Sequence, residues 1–193
     1  MQNPERQIKE LTDSLIDRIS DLDAKHSNLT ELSTLFENPD KLKKVEGYRY
    51  LLAVYAELIY KDLIITLSKV YDYNSKKSIH KLIEWIENQP SIFKGREIEI
   101  AAEFKEGLSS QKKRITNLMI QRDKFFAHDD TKYFNNVGKL SKEANLKLID
   151  LWGLISFIKD VLWEIVFSRE RRVPEFQVED FISIRKMIDK LST

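Results

Sequence analysis

Apolar residues in this chain recur at intervals of three and four, and very little interrupts them. Ile8, Leu11, Leu15, Ile19 and Leu22 form one stripe after Pro4, the spacing of a helix face at about 3.6 residues per turn. Only five glycines and four prolines occur in 193 residues, so long helices meet few breakers. No segment alternates apolar and polar residues with the period of two that a half-buried strand needs. With 42% hydrophobic and 33% charged residues, the chain can bury a core of its own. It reads as an all-α helical bundle, one domain over residues 1–193 with its core at about 41–168.

The stripe after Pro4 is narrow, which suits the outside of a bundle or a partner chain. Asn28 and Thr30 offer caps for a short second helix ending near Asn38-Pro39. A long helix is expected from about Lys41 to Tyr71, with Val45, Leu52, Tyr55, Ile59, Leu63 and Leu67 on its apolar face. Its further apolar neighbours leave little of it wet, so it belongs at the centre. Asp72-Tyr73-Asn74-Ser75 ends it. Ser78 then caps a short helix that carries Ile79, Leu82, Ile83 and Ile86 and stops at Asn88-Gln89-Pro90.

Gly95 marks a break, and helical spacing resumes at about Arg96 through Ile100, Phe104 and Leu108. Gly107, Ser109 and Ser110 either interrupt it or lower its propensity. Ile115, Leu118 and Met119 carry the pattern on to Phe125 and Phe126, and Asn135-Asn136-Val137-Gly138 is the clearest turn. Helices are expected at about Ser141–Ser168 and Val178–Leu191, separated by Arg169–Phe176. Trp85, Trp152 and Trp163 read as core or interface anchors.

Several function classes fall away. A net charge of +1 gives no global field for nucleic acid or membrane. Without cysteine there are no disulfides, thiolate nucleophiles or cysteine-held zinc, in keeping with a cytoplasmic location. The N-terminus is too polar for a secretory signal. Both apolar segments, Tyr50–Leu67 and Leu151–Phe167, contain charges, so no membrane span is expected. There is no glycine-rich phosphate loop and no serine in a nucleophile elbow. His26 and His80 stand apart from other histidines, so no metal and no cofactor is expected.

Chemistry concentrates in one place. The eleven residues from Ile120 to Asp130 hold Arg122, His128 and three carboxylates, Asp123, Asp129 and Asp130. Arg122 and His128 are six positions apart, roughly 120° around an ideal helix. They share no single face, so either the helix loosens before His128 or a second copy completes the pair. An arginine and a histidine suit attack on a phosphodiester. Histidine titrates near neutrality and can take a proton from a ribose 2′-hydroxyl or return one to the leaving oxygen. Arginine stays charged and matches a phosphate with its fork. RNA brings its own nucleophile, the 2′-OH. Asp123 and Asp130 would orient these groups and Lys124 would hold a neighbouring phosphate. Lys112, Lys113 and Arg114, one to three turns earlier, would extend a phosphate track. Arg169, Arg171 and Arg172 form a second basic cluster beside Glu170. The bland alternative is a set of solvated charges at a helix end.

At these residues the chain resembles the HEPN superfamily of small helical domains, whose signature is Arg, four to six residues, then His, often with a polar residue after the Arg. Arg122, Asp123 and His128 fit it. The fuller run of Arg122, Asp123, Lys124, Ala127, His128 and Asp130 resembles the abortive-infection AbiU-like branch. Leu67-Ser68-Lys69-Val70-Tyr71-Asp72 followed by Ser78-Ile79-His80-Lys81-Leu82-Ile83 is similar to that branch too. The resemblance covers about Leu51 to Phe167, leaving additional N- and C-terminal helices outside. It implies a homodimer whose two motifs meet in one cleft and cleave RNA without metal, within a toxin–antitoxin or antiphage system, with an antitoxin protein as a further partner. Some members bind without cleaving, so the alternative is a helical module for RNA, nucleotide or a protein. Asp130 stands where toxins neutralised by nucleotidyltransferase partners often carry tyrosine, and Tyr133 is the nearest; this departure argues against control by that route.

Overall fold

The stripe that begins at Ile8 is buried along its whole length, and it continues further than its first five members. We describe the protein from a computed structural model, which covers residues 4–89, 92, 93, 96–126, 145–170, 174, 176, 186, 188 and 190. The first helix, α1, runs unbroken from Pro4 to Glu37. Leu29, Leu32 and Leu35 extend the buried face of Ile8, Leu15, Ile19 and Leu22. The expected break after His26 does not occur. Thr30 donates its hydroxyl to the His26 carbonyl at 3.0 Å and Thr34 to that of Thr30 at 2.9 Å, so both threonines turn back on their own helix instead of capping a new one. Asn28 is buried inside the helix. This helix is no peripheral addition, because it packs along two other long helices.

Asn38, expected only to end a helix, caps the next one, accepting from the Lys41 backbone at 3.0 Å with Pro39 as the first residue of α2, Pro39–Lys44. The long helix expected from Lys41 is broken. At Val45 the backbone leaves the helical region (φ −115°, ψ 21°) and the side chain is fully buried. A 3₁₀ turn over Glu46–Tyr48 follows, and α3 runs from Arg49 to Tyr71. Leu52, Ile59, Leu63, Ile64 and Leu67 are buried, as the periodicity predicts. Its first half is not central, however. Tyr50, Leu51 and Leu58 are 84%, 63% and 59% exposed.

Ser78 caps α4, Ile79–Asn88, by accepting from the Lys81 backbone at 3.3 Å. α5 then runs unbroken from Arg96 to Phe126. Gly107 does not interrupt it. A Cβ there would lie 2.7 Å from the Phe157 ring, so the glycine admits a close neighbour rather than ending the helix. The last long helix, α6, spans Leu148–Glu170; residues 145–147 are not helical, so it starts later than Ser141. The turn at 135–138 lies outside the described residues, as does most of the helix expected at 178–191, of which Lys186, Ile188 and Lys190 are helical.

α1 and α5 each pack along both α3 and α6, which sets the four long helices in the cyclic order α1–α3–α5–α6. All the described secondary structure is helical, and this is the all-α bundle the sequence predicts. Leu63 and Leu67, Leu154 and Ile158, Phe104 and Leu118 meet the α1 stripe in one core. Trp85 packs partly buried against it, whereas Trp152 and Trp163 are 38% and 36% exposed and so lie at its margin. Trp163 stacks on Phe167 at 5.1 Å. Among the described residues no helix is long and apolar enough to cross a membrane.

Candidate functional site

Three helix ends converge where α5 delivers Arg122. Gln121 and Arg122 are neighbours on that helix, about 100° apart, and α3 contacts both. Gln121 is buried and its amide oxygen accepts from the Tyr60 hydroxyl at 2.7 Å. Burial pushes the Tyr60 phenol up from its ordinary value, while the bond to Gln121 pulls the other way. A buried amide placed this way fixes the rotation of α5 against α3.

Arg122 follows, a quarter exposed, with carboxylates on two sides. Its Nη1 donates to Asp72 Oδ2 at 3.2 Å. Its Nε donates to Asp123 Oδ1 at 2.9 Å, and Nη2 lies 2.8 Å from the same oxygen. A guanidinium has five N–H donors in a rigid fork, so this arrangement fixes its plane without using every donor.

Asp72 is the residue on which the other two helix ends depend. It is the C-cap of α3. Its Oδ1 accepts from the Asn74 backbone at 2.9 Å, and its carbonyl accepts from Ser75 at 3.1 Å. That is a tight Asx turn, the role the sequence suggests. The other oxygen goes to Arg122, a role the sequence reading missed. On the preceding residue, the Tyr71 hydroxyl donates to the Leu154 carbonyl at 2.7 Å; its burial pushes the phenol well above its ordinary range. His80, in the first turn of α4, is lowered from its usual 6.5 by burial, against a hydrogen bond to the Tyr71 backbone and the nearby Asp72 charge. Its ring lies 5.5 Å from Tyr73 and 5.9 Å from Phe104. Of the two segments that carried the second resemblance, 67–72 ends on the aspartate that meets Arg122, and 78–83 follows it with His80 near that aspartate.

The other candidates divide. Asp123 is exposed and engaged with Arg122; Lys124 is half-buried on the same turn. His128 and Asp130 lie outside the described residues. Lys112 and Lys113 are exposed, but Lys113 falls about 180° and Lys112 about 80° from Arg122 around α5. Arg114 is drawn away to α6, donating to Asp150 at 3.1 Å and to Gln111 at 2.9 Å. The triplet thus forms no single row with Arg122. Arg169 lies over the Phe93 ring at 5.2 Å; Arg171 and Arg172 are outside the described residues. His26 bonds the Leu148 carbonyl at 2.9 Å and faces Trp152. Among the described residues no three His, Asp or Glu side chains group as metal ligands.

A family model described as AbiU2 (HEPN_AbiU2) matches residues 5–167. The chain belongs to the HEPN AbiU2 family. It is an abortive-infection-related HEPN domain, and the match takes in α1 as well as the segments that carried the resemblance. No curated protein and no solved structure matches the chain. The match spans Arg122, which Asp72 and Asp123 hold.

Proposed function

We propose that this HEPN domain is a metal-independent endoribonuclease of an abortive-infection or toxin–antitoxin system, acting as a homodimer in the cytoplasm. The observation that carries the reading is Arg122. It is a guanidinium oriented by two carboxylates at the end of α5, six residues before His128 in an AbiU2-family chain. In this reading His128 accepts the proton of a ribose 2′-hydroxyl. The 2′ oxygen then bonds to phosphorus, the bond to the 5′ oxygen breaks, and that oxygen leaves with a proton. Arg122 stabilises the charge that grows on the phosphoryl oxygens. Asp123 supports the fork of Arg122, while Asp130 and Lys124 are proposed as supporting groups. Lys112 and Lys113 are peripheral phosphate contacts at most, and Arg114 is occupied elsewhere.

A dimer is supported by the angular offset between Arg122 and His128 and by the apolar face that α3 leaves in solvent at Tyr50, Leu51 and Leu58. A monomeric mass in light scattering at micromolar concentration would count against a composite site. An antitoxin protein is a further proposed partner. The second reading, a non-catalytic module for RNA, nucleotide or protein, gains from one observation: Arg122 already faces two carboxylates, which offset its charge.

RNA incubated with the protein in EDTA separates the two. The ribonuclease reading expects cleavage by wild type and a loss on the order of 100-fold or more in His128→Ala and Arg122→Ala. Undiminished cleavage by His128→Ala removes that residue from the reaction. RNA binding with no cleavage favours the module.

A further inference from the structure

Asp72 is in an electrostatically poor place for a carboxylate. As the C-cap of α3 it faces the negative end of that helix, which disfavours an acidic side chain. Its turn does not require the charge, because asparagine closes an Asx turn equally well. Among the described residues, the contact that needs a negative oxygen is the bond from Arg122 Nη1 at 3.2 Å. The backbone that carries Asp72 is also tied to α6, by the Tyr71 hydroxyl bonding the Leu154 carbonyl at 2.7 Å. A carboxylate held this firmly and aimed at a guanidinium is suited to orient it.

We infer that Asp72 is a positioning residue: from the end of α3 it sets the direction of the Arg122 fork, leaving the N–H donors that no described residue occupies for a phosphate of the substrate. Asp123 alone cannot do this. It is exposed, and it is carried on the same helix as Arg122, so it moves whenever α5 moves. Asp72 ties the fork to a different helix and so to the remainder of the bundle. Burial keeps His80 below its ordinary value, so near neutrality it stays uncharged and leaves the Asp72 charge to Arg122. The inference rests on the proposed role of Arg122 as the phosphate-stabilising group.

Asp72→Asn is the discriminating change, since it keeps the turn and removes the charge. On the full chain, cleavage of a labelled single-stranded RNA oligomer should lose kcat by about 10- to 100-fold, the usual result of a misdirected group. KM should not rise and the melting temperature should stay near that of wild type. Exchange of the Arg122 Nη1 hydrogens, followed by nitrogen-15 NMR, should quicken roughly tenfold as a charge-assisted bond is lost. A wild-type kcat in Asp72→Asn overturns the inference. Unchanged Nη1–H exchange overturns it too, whatever happens to cleavage. If wild type cleaves nothing but the exchange responds, the ribonuclease reading falls and the positioning contact stands.

Discussion

Helix α5 sends an arginine to an aspartate at each of two helix ends, and the pair make a controlled comparison. Asp150 lies in the first turn of α6. One of its oxygens accepts from the Lys147 backbone at 3.0 Å and the other from Arg114 at 3.1 Å. Asp72 lies at the last turn of α3 and divides its oxygens the same way, one to the Asn74 backbone and one to Arg122. The helix ends are opposite. At the start of α6 the backbone N–H groups and the dipole already favour a carboxylate, so Arg114 adds little that Asp150 lacks. At the end of α3 they disfavour it, so the arginine is needed. The surroundings differ as well. Arg114 lies on Gly153, where a Cβ would come within 3.1 Å of its Nη1, and Gln111 closes its other side. The same pairing is thus a helix joint on the α6 side and an oriented cation on the α3 side.

If the α5–α6 seam is purely structural, filling it should cost stability and leave site chemistry alone. Gly107→Ala is the largest such change. Its Cβ would meet the Phe157 ring at 2.7 and 2.8 Å, and that ring is stacked at 5.4 Å on the buried Phe104, so it cannot retreat without losing the stack. Overpacking costs about 1–3 kcal/mol, and the better helix propensity of alanine returns up to about 1 kcal/mol. The net expectation is a melting temperature lower by roughly 2–8 °C, partly restored by adding Phe157→Leu. A variant that melts higher than wild type would show that the seam has slack.

Gly107 also shows what the sequence could and could not reveal. Read locally it either interrupts the helix or only lowers its propensity. Its reason is a ring 50 residues away on another helix, which no local pattern contains. The α1 stripe was legible because a 3.6-residue period is local information, and Arg122 stood out as a candidate because the other residues of its motif are near in sequence. Val45 was misread as a continuing face residue; it is buried because the chain turns there. Tyr50, Leu51 and Leu58 show the reverse error, since apolar periodicity records that a face avoids water and not which neighbour covers it. Asp72 was read for its turn and not for its ion pair, because turn chemistry spans two residues and the pair spans 50.

Arg114→Ala tests the joint directly. The pair it breaks is partly exposed, with Arg114 at 41% and Asp150 at 24%, so screening holds the expected loss to about 0.5–1 kcal/mol. Asp150 keeps its Lys147 bond and α6 should still start in the same place. Cleavage should be unaffected if Arg114 has no part in the site. A large drop in activity with little change in melting would instead make Arg114 a substrate contact and erase the contrast with Arg122.

The smallest expected effect is on the α3 side and is read through pH. Burial lowers His80 from its ordinary 6.5, so the folded protein holds this proton less tightly than the unfolded chain does. The stabilising effect of keeping His80 neutral is therefore complete above pH 6.5 and is lost as pH falls below it, because the unfolded state takes up the proton first. Melting temperatures measured from pH 7.5 down to 5 should fall less steeply for His80→Phe than for wild type. Phenylalanine keeps a ring between Tyr73 and Phe104 but has nothing to protonate, and the lost bond to the Tyr71 backbone lowers the whole curve without bending it. Parallel curves would mean that solvent reaches His80 freely. In that case the end of α3 is looser than its contacts suggest, and Asp72 would hold Arg122 no more firmly than Asp123 does.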